Sequence, residues 1–83
     1  MSYYTYIIKS VKTGGYYIGS SENVEKRLHQ HNNGKTKSTK NGIPWEIIAV
    51  EKFDTRLEAI RRELKIKSYK GGNAFKNLII DIV

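Results

Sequence analysis

Five side chains have types and spacings that support acid–base and phosphate chemistry. In "RLEAIRRELKIK", residues Leu57, Ala59, Ile60, Leu64 and Ile66 span about half a helix circumference at about 100° per residue, and Glu63 falls inside that apolar arc. A carboxylate there is costly unless something compensates it. Lys67, four residues on and in the favourable order, is one candidate, and a divalent metal ion is the other. In "YYIGSSENVEKRLHQH", Arg27 and His31 are also four apart and project from neighbouring positions of a helix. Arginine clamps a phosphate through two parallel hydrogen bonds, and histidine bonds the same group or moves protons near neutral pH. Tyr6 and Tyr17 lie in two strand-like stretches. They face one another if the intervening turn closes tightly through residues 10 to 13. A free phenol has a pKa of about 10, so work as a base needs Lys, Arg or a metal nearby. Each of these side chains also has a purely structural reading, as packing, ion pairing or a solvated charge. His29 projects away from the stripe formed by Val24, Leu28 and His31 and receives no role.

The elements that must position these groups follow from the local pattern. "YYTYIIK" is rich in tyrosine and isoleucine and reads as a strand; "SVKTGG" is a turn, and "YYIG" is a second strand completing a hairpin. A helix is expected from about Asn23 to Asn32, capped by Ser21 or Asn23 and stopped by Asn33-Gly34. "GKTKSTKNGIP" is a polar, basic loop with three lysines and no carboxylate. It is either solvated or in contact with phosphate. "WEIIAVEKF" is a third strand with apolar groups on both faces, the pattern of a central strand. Thr55 and Glu58 form a capping box for the longest helix, which Gly71-Gly72 terminate. Phe75, Leu78, Ile79 and Ile82 then suggest a short helix that covers the core. The expected class is α+β, in the order β-β-α-β-α-α.

Eighty-three residues make one domain, spanning residues 1–83, with a small core. There is no cysteine, so disulfides and thiolate metal sites are excluded. The N-terminus lacks the pattern of a secretory signal, and no apolar run approaches the ~20 residues of a membrane helix. The expected location is the cytoplasm, with no membrane partner. The net charge is +7, and residues 1–43 hold seven Lys and Arg against two carboxylates. Such a surface attracts polyanions, nucleic acid first. The chain shows no Ser-His-Asp order, no P-loop, no dinucleotide fingerprint and no zinc spacing.

Taken in order, "YTY" at Tyr4–Tyr6, "YIG" at Tyr17–Gly19, "EKRLHQH" and "EAIRRELKIK" resemble the GIY-YIG nuclease superfamily, and most of all its small stand-alone bacterial proteins. The resemblance runs from Tyr3 to about Ile79. The second motif is matched in full; in the first, Tyr4 and Thr5 replace glycine and isoleucine, and Tyr6 keeps the tyrosine. The resemblance implies a three-stranded antiparallel sheet flanked by helices and metal-dependent hydrolysis of phosphodiesters. By position it implies that Glu63 binds one Mg²⁺ or Mn²⁺ and that Tyr17 is the general base on the attacking water or on a water it shares with the metal. Tyr6 then orients that water or the phosphate, Arg27 stabilises the charge of the phosphorane, and His31 supports the tyrosine or the phosphate. The expected nucleic-acid contacts are Lys26, Lys35, Lys37, Thr39, Lys40, Lys67 and Asn77.

The functional expectation is a DNA endonuclease, structure-selective or weakly specific, serving repair or recombination, with a protein partner as a candidate for supplying its target. RNA remains a third option for the substrate. The competing reading is a nucleic-acid-binding module that keeps the scaffold without catalysis. Metal dependence of cleavage separates the two.

Overall fold

The computed structural model describes residues 2–82, and side-chain surroundings up to residue 80. The elements are β1 (Tyr3–Ser10), β2 (Tyr16–Ser21), α1 (Val24–Asn32), a 3₁₀ turn (Lys37–Gly42), β3 (Trp45–Phe53), α2 (Arg56–Ser68) and α3 (Asn73–Ile82). The three strands form one antiparallel sheet in the order β2-β1-β3. The expected α+β class and element order are both found.

Two helix starts follow from single side chains. Asn23 accepts a hydrogen bond from the Lys26 amide at 3.0 Å and caps α1. Thr55 accepts from the Glu58 amide at 3.2 Å, and its hydroxyl donates to the Glu58 carboxylate at 2.9 Å. Both helices are short, so satisfying otherwise orphaned first-turn amides matters.

The sheet is covered on both faces. On one, Tyr6, Ile8, Val24 and Trp45 form a core with Leu28 of α1 packed against it. On the other, Ile7, Ile66 of α2 and Phe75 of α3 form a second core, joined by Ile18, Ile48 and Ala49. The Thr5 hydroxyl donates to the Ala59 carbonyl at 2.7 Å and pins α2 to β1. The side chain of Ile82, counted with the apolar stripe of α3, lies outside the described side chains.

Three expectations need correction. β3 is an edge strand, and β1 is central. β3 is apolar on both faces because helices cover both faces of so small a sheet: Ile47 joins the first core, Ile48 and Ala49 the second. The apolar arc of α2 is narrower than its sequence, since Leu57 and Leu64 are 54% and 59% exposed. Three strands present too little surface to bury half of a 13-residue helix, and Ala59 and Ile66 take the contact. The hairpin closes later than residues 10 to 13, with the Ser10 amide donating to the Gly15 carbonyl and Lys9 opposite Tyr16. Tyr17 therefore lies opposite Ile8, and Tyr6 lies opposite Gly19. The shift is two residues, which preserves the face on which each side chain lies, so Tyr6 and Tyr17 remain diagonal neighbours.

This register explains the glycine of "YIG". A Cβ on Gly19 would lie 2.5 Å from the Tyr6 hydroxyl oxygen and 2.6 Å from the ring carbon that carries it. Tyr6 is 1% exposed, so the ring has nowhere to retreat. Gly19→Ala is expected to cost about 1–3 kcal/mol of stability by overpacking, measured by urea denaturation. A variant as stable as the parent would show that the ring moves freely.

Candidate active site

His31 is the wedge on which the two tyrosines rest. It projects from the last turn of α1 and is fully buried. Its Nε2 lies 3.0 Å from the Tyr6 hydroxyl, and its Nδ1 lies 2.7 Å from the Thr39 hydroxyl. The rings of His31 and Tyr17 meet edge to face, with centroids 4.9 Å apart. With both nitrogens engaged inside the protein, His31 supports Tyr6 and has no free nitrogen for a phosphate.

Thr39 is 1% exposed, so the contact with phosphate expected of it is not available. The basic loop folds back as a 3₁₀ turn because its backbone is stitched to α1 through Trp45. The Trp45 indole donates to the Thr39 carbonyl at 2.7 Å, and Asn32 exchanges two hydrogen bonds with the Trp45 backbone, at 2.6 and 3.0 Å. Composition alone gives a polar loop; the tryptophan six residues downstream of Thr39 decides its path.

Arg27 lies one turn before His31, half-buried, with its guanidinium donating to Gln30 at 3.0 Å. Burial pushes the Tyr6 phenol up to about 12, against a smaller downward pull from the Arg27 guanidinium, while Tyr17 and Glu63 add to the rise. Burial, then the Arg27 charge, holds the imidazole of His31 below its ordinary value. At neutral pH Tyr6 is therefore a neutral phenol and His31 a neutral imidazole.

Glu63 reaches the same place from the other side of the sheet. β2 is an edge strand, and α2 packs along it. Lys67 bonds the Glu63 carboxylate at 2.6 Å, and its ammonium lies 6.0 Å from the centroid of the Tyr17 ring. The structure thus brings Tyr6, Tyr17, Arg27, His31 and Glu63 together from β1, β2, α1 and α2.

Among the described residues no group of three or more His, Cys, Asp and Glu side chains is placed to hold a metal. An all-protein cage is therefore not what this site offers. Glu63 still fits a single-carboxylate site. Its side chain is 17% exposed, one oxygen is taken by Lys67, and the other has no hydrogen-bond partner among the described residues. Mg²⁺ keeps several waters and needs few protein oxygens, so one hard donor beside phenol oxygens suits it.

Beside this cluster opens a cleft of about 390 Å³. Ser20, Ser21, Asn23, Lys26, Arg27 and Arg56 are among its lining residues. Arg27 belongs to both cleft and cluster. Sequence reasoning missed Arg56, the first residue of α2 after its Thr55 cap; being next to a cap was the only signal it offered. Lys35, Lys37 and Lys40 are exposed. Asn77 is exposed on α3 and takes no part in the hydrogen bonds of the cluster.

The family model for the GIY-YIG catalytic domain matches residues 2–76. A UPF0213 protein of Staphylococcus saprophyticus is 43% identical over 68 residues, covering 81% of this chain and 82% of that one. A UPF0213 protein of Staphylococcus epidermidis is 40% identical over the same length and coverage. The solution NMR structure of a UPF0213 protein from Bacillus halodurans superposes with a TM-score of 0.56 at 29% identity, covering 99% of this chain and 85% of that one. No helix among the described residues is long and apolar enough to cross a membrane.

Proposed function

The chain belongs to the GIY-YIG catalytic-domain family, and from that premise we propose that it is a metal-dependent endonuclease hydrolysing phosphodiester bonds of DNA. We place its 83 residues in one domain that is structure-selective or weakly specific and serves repair or recombination in the bacterial cytoplasm. A partner protein supplying the target belongs to the same reading. The observation that carries it is the convergence of Glu63, Arg27 and the two tyrosines at the edge of β2, next to a cationic cleft.

The division of labour follows from the environments. Tyr6, held protonated by burial, positions groups by hydrogen bonding and does not act as the base. Tyr17 is left to accept the proton of the attacking water. Arg27, held against Gln30 at the mouth of the cleft, neutralises charge that grows on the non-bridging phosphate oxygens. Lys26 and Arg56 line the path of the flanking strand, with Lys35, Lys37 and Lys40 adding long-range attraction. Glu63 would hold a Mg²⁺ or Mn²⁺ ion, which would supply counter-charge and Lewis acidity when bound.

The Lys67–Glu63 ion pair favours a second reading, because it neutralises the carboxylate with no metal at all. On that reading the domain binds nucleic acid without cutting it. A labelled panel of duplex, single strand, flap and four-way junction decides between them, with an RNA strand as control and each run with Mg²⁺, Mn²⁺ or chelator. We expect metal-dependent cutting of DNA, reduced about 100-fold or more in Arg27→Ala. Salt-sensitive binding indifferent to chelator, with no cutting of any substrate, establishes the binding module instead.

A further inference from the structure

The Tyr6–His31 contact does not end at the histidine. Tyr6, His31 and Thr39 are 1%, 0% and 1% exposed, and they form one buried chain of polar atoms. The Thr39 hydroxyl lies 2.7 Å from His31 Nδ1 and within 3.3 Å of the Thr36 carbonyl, an acceptor only. None of the buried side-chain nitrogens and oxygens among the described residues is left without a partner.

Two proton arrangements are conceivable for such a chain. In the first, Thr39 donates to the Thr36 carbonyl and accepts from His31 Nδ1–H. Nε2 is then bare and accepts from the Tyr6 hydroxyl. In the second, both bonds of His31 reverse: Thr39 donates to Nδ1, Tyr6 accepts a hydrogen bond from Nε2–H, and its own hydroxyl hydrogen must turn outward. The second arrangement leaves the Thr36 carbonyl without the hydroxyl. It also aims the Tyr6 hydrogen into a site that already holds the Arg27 guanidinium, a group that only donates. A cation beside an oxygen favours its lone pairs.

We propose that Thr39 is a positioning residue: its hydroxyl fixes His31 as the Nδ1–H tautomer, so that Tyr6 donates inward and presents only lone pairs to the Arg27 guanidinium. Resting on the nuclease reading, this assigns the two phenols complementary work. Tyr6, 1% exposed, offers its lone pairs to the Arg27 guanidinium and so holds the phosphate clamp, while Tyr17 takes the proton of the attacking water. Thr39 touches neither water nor phosphate and acts through two other side chains.

The test uses the full chain with the best-cleaved DNA of the panel and Mg²⁺, together with ¹⁵N NMR of the His31 ring. Thr39→Val keeps the shape and removes the hydroxyl. A buried N–H without an acceptor is costlier than a bare lone pair, so His31 should move to the Nε2–H form and turn the Tyr6 hydroxyl around. Wild type is expected to show Nδ1–H. Thr39→Val is expected to show Nε2–H, with kcat down about ten-fold and KM within two-fold. Thr39→Ser, which restores the hydroxyl, should recover the wild-type tautomer and most of the rate.

Three results overturn the proposal: Nε2–H in the wild type; an unchanged tautomer and rate in Thr39→Val; or Thr39→Ser as slow as Thr39→Val, which would make the methyl group, not the hydroxyl, the important part. Absence of cleavage by the wild type sinks the nuclease reading, and the ring tautomers of the three proteins then decide the role of Thr39 by themselves.

Discussion

Glu63→Gln is expected to lower the single-turnover rate of metal-dependent cleavage by about 10³-fold or more, with DNA binding retained. The substitution keeps the size and hydrogen-bonding reach of the side chain and removes its charge. Among the described residues no group of three or more His, Cys, Asp and Glu side chains is placed to hold a metal, so no ready-made ligand set replaces Glu63. Binding should hold or strengthen slightly, because a negative charge leaves a cationic surface and Lys67 is released from its 2.6 Å ion pair. The pair is itself a useful control. If Glu63 serves only Lys67, the glutamine variant loses little activity and no more than a fraction of a kcal/mol to about 1 kcal/mol of stability, as for other partly exposed pairs. Cleavage measured over a Mg²⁺ titration, beside urea denaturation of both proteins, separates the two roles.

The tyrosines should part company when each is replaced by phenylalanine. Tyr17→Phe is expected to reduce kcat by about 10²- to 10⁴-fold with KM little changed, the range for losing a general base. Tyr6→Phe should do less to the chemical step and more to the fold. With its phenol pushed up to about 12, Tyr6 is ionised in roughly one molecule in ten thousand at pH 8, too few to serve as the base. Its removal leaves the buried Nε2 of His31 without a partner, which costs about 1–3 kcal/mol. Rates and denaturation midpoints of the two variants, measured side by side, check this assignment. A larger loss of kcat in Tyr6→Phe than in Tyr17→Phe would exchange the two roles.

The site joins two helices that never share a face of the sheet. α1 carries Arg27 and His31 beneath Tyr6, while α2 carries Glu63 on the far side, and the edge position of β2 lets them meet at Tyr17. A four- or five-stranded sheet continuing beyond β2 would bury that edge and separate them. The smallness of the domain is thus part of how its chemistry is assembled. The same smallness explains the exposed Leu57 and Leu64 on α2, for which three strands provide no cover.

What the sequence determined by itself was local. Asn23 and the Thr55–Glu58 box set the two helix starts, since a cap needs only a side chain and an amide three residues away. The i,i+4 spacings placed Arg27 beside His31 and Glu63 beside Lys67, because helical geometry alone makes such neighbours. The order of motifs was enough for the family and for the strand and helix order. Tertiary structure decided everything that depends on how far the chain travels before it returns. The turn closed two residues later than a tight hairpin would, setting Tyr6 against Gly19 instead of Tyr17. The order β2-β1-β3 made an edge of a strand that is apolar on both faces, since periodicity records burial and not which neighbour supplies it. Trp45, bonding back to Thr39 and Asn32, drew a basic loop inward and turned an expected phosphate contact into the buried support of a histidine. Caps and helical neighbours act within one turn; register, strand order and loop path are set by contacts between residues far apart in sequence, whose pairing no local pattern specifies.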